Sequence, residues 1–260
     1  MPKNLLRKAL SIVLVTCVFS VNAQQLSTVY EQPRDPMLFE TYREWHEGKL
    51  LEGLRASVLK RFNIENSLSL SIKNCGQANA FYRSESKEVV MCWELLALLL
   101  TSSERRFGKD RNTLITATTS LFTFVLYHEL GHAVVDILKI ATFGREEDNA
   151  DQIAALMLLE DNKRRSHADS NISVLAVFDY WRTNDSPYLK KHQLPGPHST
   201  SQQRAFNVVC WAIGSDPASR YKFLAQMTSF PLEQVTSCAK EFQRAESALN
   251  GLVKASTMPR

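Results

Sequence analysis

Apolar residues between Met37 and Phe62 recur every three to four positions, through Leu50, Leu51, Leu54, Val58, Leu59 and Phe62, and predict a helix. Leu68, Leu70 and Ile72 then alternate with serines and a lysine, the period of a half-buried strand. Residues 78–82 and 88–91 read as two further strands joined by the polar turn 83–87, and 93–100 is a strongly apolar helical run. The charged stretch 102–112, with Gly108 inside it, reads as a loop. The longest helical segment is 113–138. Its apolar run, Leu121 to Leu126, is far short of the ~18 residues of a membrane span, so it predicts a buried core helix. Lys139 to Gly144 breaks the pattern, and 145–160 opens a new helix whose acidic first turn suits the helix dipole. A polar loop at 162–170 and a helix at 171–181 follow. Residues 185–197, with three prolines, read as extended, and helices are expected at 202–213 and 232–252. Together these predict an α+β fold, a small sheet with a helical body.

The two ends of this pattern differ in kind. Residues 24–36, with Pro33 and Pro36, read as a loose lead-in. Before them, Lys3, Arg7 and Lys8 precede a short apolar stretch, Ala9 to Phe19, and Val21-Asn22-Ala23 places small residues where a signal peptidase cuts. Residues 1–23 are therefore expected to be a signal peptide removed near Ala23, leaving 24–260 as one domain, secreted or periplasmic. Cys17 raises a lipoprotein alternative, against which Thr16 is a poor neighbour for that cleavage. Loss of Lys3, Arg7 and Lys8 lowers the formal charge from +4 to +1, and no Lys/Arg cluster is left to hold nucleic acid. The mature chain would carry no stable membrane span. It keeps Cys75, Cys92, Cys210 and Cys238, an even number suited to disulfides in an oxidising compartment. Of the three possible pairings, Cys75–Cys92 and Cys210–Cys238 is preferred because each pair brackets one compact unit; four free thiols are the alternative.

Candidate chemistry lies in the long central helix. His128 and His132 are four residues apart, so both imidazoles lie on one face, a turn apart, where they can share one metal ion. Glu129 projects beside them and can take a proton from an activated water. A catalytic zinc site needs a third protein ligand and an open position. Val135 and Leu138 stand where the elongated metzincin motif has glycine and histidine, so the third ligand must come from elsewhere. A short connection returns the next helix antiparallel to the first and brings Glu147 back beside the histidines as that ligand. Asp151, one turn on, can accept the far N–H of a ligand imidazole, His128 first. Ala150, Ala154 and Ala155 allow a close approach. Asp136 is a rival ligand, ranked lower because three successive turns of a straight helix converge poorly on one ion. Glu146 and Asp148 are read as complementing the dipole only.

His128-Glu129-Leu130-Gly131-His132 followed by Glu147-Asp148-Asn149-Ala150-Asp151 resembles the gluzincin metallopeptidases, and more narrowly the CAAX prenyl protease type and its soluble periplasmic relatives. It looks closest to a group of exported bacterial metallopeptidases of unassigned substrate. The resemblance runs from about residue 79 to 204 and adds two further matches. Asn79-Ala80-Phe81 resembles an edge strand that pairs with extended substrate above the metal, and His198 and Arg204 resemble a later His and Arg beside the active site. Arg83 to Ser86 replace glycines common in the family, and Ser199 replaces a proline. The resemblance implies a zincin-like fold, with a small sheet whose edge strand lies over a helical body carrying the metal helix.

The resulting expectation is a zinc metalloendopeptidase with one Zn2+ per chain held by His128, His132 and Glu147. Glu129 is the general base, His198 an oxyanion donor, and Asp151 and Arg204 support the ligands. Peptide or protein substrate would lie along Asn79, Ala80, Phe81 and Tyr82 as an added strand. The alternative is a non-catalytic, zinc-stabilised module that binds a peptide or an envelope partner on the same strand.

Overall fold

A computed structural model of the chain describes residues 28–257 apart from 65–67, 142–143, 185–197, 217, 219 and 222. The expected signal peptide and the proline-bearing segment 185–197 lie outside the described residues. Four strands, β1 (Thr28–Tyr30), β2 (Ser69–Lys73), β3 (Ala80–Arg83) and β4 (Glu88–Cys92), form one sheet in the order β1-β2-β4-β3. β1 and β4 run parallel to β2, and β3 pairs antiparallel to β4 across the 84–87 turn, so β3 is an edge. The helices are α1 (Phe39–Glu47), α2 (Leu50–Phe62), α3 (Trp93–Phe107), α4 (Arg111–Ile137), α5 (Glu146–Asn162), α6 (His167–Asn184), α7 (Ser201–Ser215), α8 (Leu224–Met227) and α9 (Val235–Thr257). The fold is α+β. Among the described residues no helix is long and apolar enough to cross a membrane.

Several boundaries differ from the sequence pattern. The lead-in is not wholly loose: Thr28–Tyr30 forms β1, too short to show an alternation and held by main-chain pairing with β2. The single helix expected over 37–62 is split at Gly48 and Lys49, the latter left-handed at φ 52°. The expected loop 102–112 is mostly helix. α3 continues to Phe107 because Leu99 and Ser103 stay buried and Phe107 half-buried a turn apart while the charges face solvent. It ends at Gly108, φ 75°, and two residues later Asp110 caps the start of α4, its carboxylate accepting the Thr113 N–H at 3.0 Å. The 3-10 turn Leu232–Gln234 precedes α9, and α8 was not foreseen. Both disulfides have the expected pairing: Cys75–Cys92 links the end of β2 to β4, and Cys210–Cys238 links α7 to α9.

α4 is the element against which α3, α5, α6, β3 and β4 all pack. From Ala117 to Val135 it is buried almost all round, which explains a hydrophobic run without a polar stripe. Its end is a Schellman closure: Lys139 takes the left-handed conformation at φ 54°, and the Ile140 N–H reaches the Val135 carbonyl at 2.9 Å. The chain then reverses into α5. The two helices approach so closely that a Cβ on Gly131 would meet the Ala150 Cα at 2.9 Å. Glycine at 131 and alanine at 150 therefore set the separation at which groups on α4 and α5 can meet.

Candidate metal centre

His128, His132 and Glu147 converge where α4 faces the start of α5. His128 Nε2 lies 3.2 Å from His132 Nε2 and 3.1 Å from Glu147 Oε2, and His132 Nε2 lies 3.3 Å from the same oxygen. All three sit on the wall of one cleft of about 710 Å³, with Glu129 next to them.

Each imidazole is oriented through its other nitrogen. His128 Nδ1 donates to Asp151 Oδ1 at 2.8 Å, and Asp151 is gripped in turn by Arg204, Nε to Oδ2 at 2.6 Å and Nη2 to Oδ1 at 2.7 Å. Arg204 is buried, and its guanidinium lies 3.6 Å from the centroid of the Trp181 ring. His132 Nδ1 donates to Glu146 Oε1 at 2.7 Å. Glu146 therefore does more than complement the dipole: it does for His132 what Asp151 does for His128. Asp148 also has a partner, accepting the Ser199 hydroxyl at 2.7 Å. No periodicity marks Glu146 for this role, since neighbouring acids in a helix's first turn have an adequate reason to be there.

This donor set fits a cation. With both Nδ1–H groups committed to carboxylates, both Nε2 atoms present lone pairs to one another and to a Glu147 oxygen. Three acceptors at 3.1–3.3 Å demand a positive charge between them. Without a metal, a proton serves: burial opposes charge on His128, but its hydrogen bonds to Asp151 and Glu147 outweigh burial and push the imidazole up to about 9. Zinc with N and O ligands at about 2.0–2.2 Å in a tetrahedron separates them by roughly 3.3–3.6 Å, close to the observed triangle. Another cluster, Cys75, Cys92 and Glu94, has its sulfurs bonded to each other and offers no thiolate.

Glu129 is 9% exposed, and burial pushes its carboxyl above the usual glutamate range, with His128 and His132 pulling it back. The Tyr82 main-chain N–H also lies against this carboxylate. That follows from strand register. The Cys92 N–H bonds the Asn79 carbonyl, so Asn79, Phe81 and Arg83 turn their main-chain groups toward β4, while Ala80 and Tyr82 turn theirs outward over the cleft. Asn79 to Tyr82 all line the cleft.

His198 and Arg204 are also here, the first exposed and the second buried. His198 Nε2 is 2.7 Å from Glu147 Oε2, and Arg145 donates to the His198 carbonyl at 3.2 Å, tying its loop to the start of α5. Asp136 is not in the triangle. It points to the β3–β4 hairpin, where it accepts from the Tyr82 hydroxyl at 2.7 Å and from Lys87. Trp181 and Arg145, both at the cleft, were not singled out by the sequence: the aromatic falls on an ordinary core-facing turn of α6, and its contact with Arg204 is purely tertiary.

A protein family described as "Putative metallopeptidase" matches residues 30–253. No curated protein and no solved structure matches the chain.

Proposed function

The chain belongs to that metallopeptidase family, and from this premise we propose that it is a zinc-dependent peptidase whose ligands are His128, His132 and Glu147 and whose general base is Glu129. The observation that carries the proposal is the convergence of three ligand atoms within 4.8 Å of one another beside a buried glutamate, under a strand edge with outward-facing main-chain groups. Zinc, when bound, would supply Lewis acidity, lowering the pKa of a water and polarising a carbonyl.

The protein's own groups do the rest. Ala80 offers its main-chain N–H and carbonyl, and Tyr82 its carbonyl, to an extended peptide, which adds to β3 as a strand. Glu129 takes the proton of the attacking water, which burial makes easier by raising the carboxylate's proton affinity, and returns it to the leaving amine. His198, at the rim, donates its N–H to the oxyanion that develops on the substrate. Asp151 and Glu146 hold the two imidazoles in the tautomer that leaves Nε2 free for metal. Membership of the gluzincin class, export by cleavage near Ala23 and a periplasmic or secreted location are part of the same proposal, supported by Glu147 on the following helix, by the N-terminal pattern and by two disulfides.

The test is metal content and casein hydrolysis of protein purified without chelators. Wild type should hold about one zinc per chain and cleave casein. Glu129→Gln should keep zinc and lose at least about a hundredfold in rate, whereas His128→Ala and Glu147→Ala should lose both. Equal hydrolysis by wild type and Glu129→Gln would overturn the mechanism. Zinc binding with peptide capture but no cleavage would favour the non-catalytic binding module instead.

A further inference from the structure

Asp136 lies one turn beyond His132 on α4, yet its carboxylate faces away from the ligand triangle and toward the β3–β4 hairpin. Its Oδ2 accepts from the Tyr82 hydroxyl at 2.7 Å and from the Lys87 ammonium, while Oδ1 accepts from Lys139 at 2.9 Å. Tyr82 is on β3, and Lys87, left-handed at φ 50°, closes the 84–87 turn. One carboxylate thus ties the strand and the turn of the hairpin to the helix that carries His128, Glu129 and His132. Lys87 holds the Asp136 carboxyl well below the usual carboxylate range, so it is charged throughout the neutral region.

The hairpin needs such a tie. β3 is a four-residue edge strand, bonded to β4 on one side only, and Arg83 at its end is exposed. Its outward main-chain groups are useful only at a fixed height above Glu129, and an error of an ångström in that height matters to substrate alignment. The Tyr82 side chain reaches Asp136 while the Tyr82 N–H faces Glu129, so one residue carries both the tie and the alignment.

We infer that Asp136, through Tyr82 and Lys87, is a positioning residue that holds the substrate-pairing edge strand at its working distance from the metal helix. This rests on the peptidase reading for its consequence but not for the tie itself. The experiment compares wild type with Asp136→Ala, Tyr82→Phe, the double variant and Lys139→Asn, since Lys139 meets Asp136 but not the hairpin and asparagine keeps the left-handed closure of α4. Amide hydrogen exchange at Phe81 and Arg83, zinc content, and kcat and KM on casein are measured for each.

Asp136→Ala should speed exchange at Phe81 and Arg83 about tenfold, leave zinc at the wild-type level and raise KM several-fold with a smaller change in kcat. Tyr82→Phe should do part of this, and the double variant no more than Asp136→Ala, because the two share one interaction. Lys139→Asn should match wild type. Unchanged exchange in Asp136→Ala would overturn the tie, and faster exchange with unchanged KM in an active protein would overturn its role in substrate alignment. Wild type inert toward casein, with hairpin exchange still quickened by Asp136→Ala, would count against the peptidase reading while upholding the tie.

Discussion

At the scale of single residues, the centre is asymmetric in how its two histidines are held. Asp151 is buried and shared between His128 and a buried arginine, whereas the Glu146 side chain on His132 is about half exposed, at 50%. Solvent screens the second contact and not the first. Asp151→Asn keeps the shape but leaves the Arg204 charge unpaired in the interior, which should cost about 3–5 kcal/mol of stability. It should also weaken zinc about 10–100-fold by freeing His128 to change tautomer. Glu146→Ala should weaken zinc less than about tenfold and change stability by about 0.5 kcal/mol or less. Chelator competition and urea unfolding measure both, and equal losses in the two variants would show that burial does not set the strength of these supports. His128 and Arg204, outweighing burial, lower the Asp151 pKa, so its contribution is present above the unfolded carboxylate value of about 3.9 and lost as pH falls below it. The stability of metal-free Asp151→Asn, lower than wild type at neutral pH, should therefore fall less steeply than that of wild type as pH drops below about 3.9.

At the scale of elements, the spacing of α4 and α5 decides whether the centre exists. A methyl on Gly131 would meet Ala150 at 2.9 Å to Cα and 3.2 Å to Cβ, and backbone cannot yield as a flexible side chain does. Gly131→Ala should cost about 1–3 kcal/mol and push Glu147 away from the histidines, weakening zinc in the same step. Denaturation and zinc titration on one preparation test this; a stable variant with full zinc affinity would mean that the helices can separate without disturbing the triangle. Here the sequence was most legible: four-residue spacing placed His128 with His132, and small residues on α5 announced close packing. The strand 68–72 was readable from alternation, and 78–82 and 88–91 from the polar turn between them. What stayed hidden was tertiary. β1 exists through pairing with β2, α3 runs through a charged stretch because three inward residues keep the helical period, and the Arg204–Trp181 contact joins α7 to α6 without any local pattern. Asp136 shows the intermediate case: its four-residue step from His132 marked it as meaningful, but its partner lay on a strand far away in the chain.

At the scale of the whole molecule, the two disulfides tie down the parts of the fold that flank the centre without entering it. Cys75–Cys92 fixes the segment that leads into β3, and Cys210–Cys238 fixes α7, which carries Arg204, against α9. Near the second bridge the backbones are already tight, since a Cβ on Gly214 would lie 2.3 Å from the Cys238 carbonyl oxygen. Loops of 17 and 28 residues correspond to about 3 and 3.5 kcal/mol of restricted unfolded-chain entropy. None of the four sulfurs belongs to the ligand triangle, and the α4–α5 contact that forms it depends on packing and on the closure at Lys139. Replacing Cys210 and Cys238 together by serine should therefore lower Tm by roughly 6–12 °C, while zinc content at 25 °C stays at the wild-type level. Calorimetry with metal analysis reads both quantities. A large drop in Tm with zinc retained would mean that stability and metal binding are carried by separable parts, and that an oxidising compartment matters to this protein for its endurance and not for its chemistry. Loss of zinc at 25 °C would show that the α7–α9 bridge holds Arg204, and through Asp151 the His128 ligand, in place.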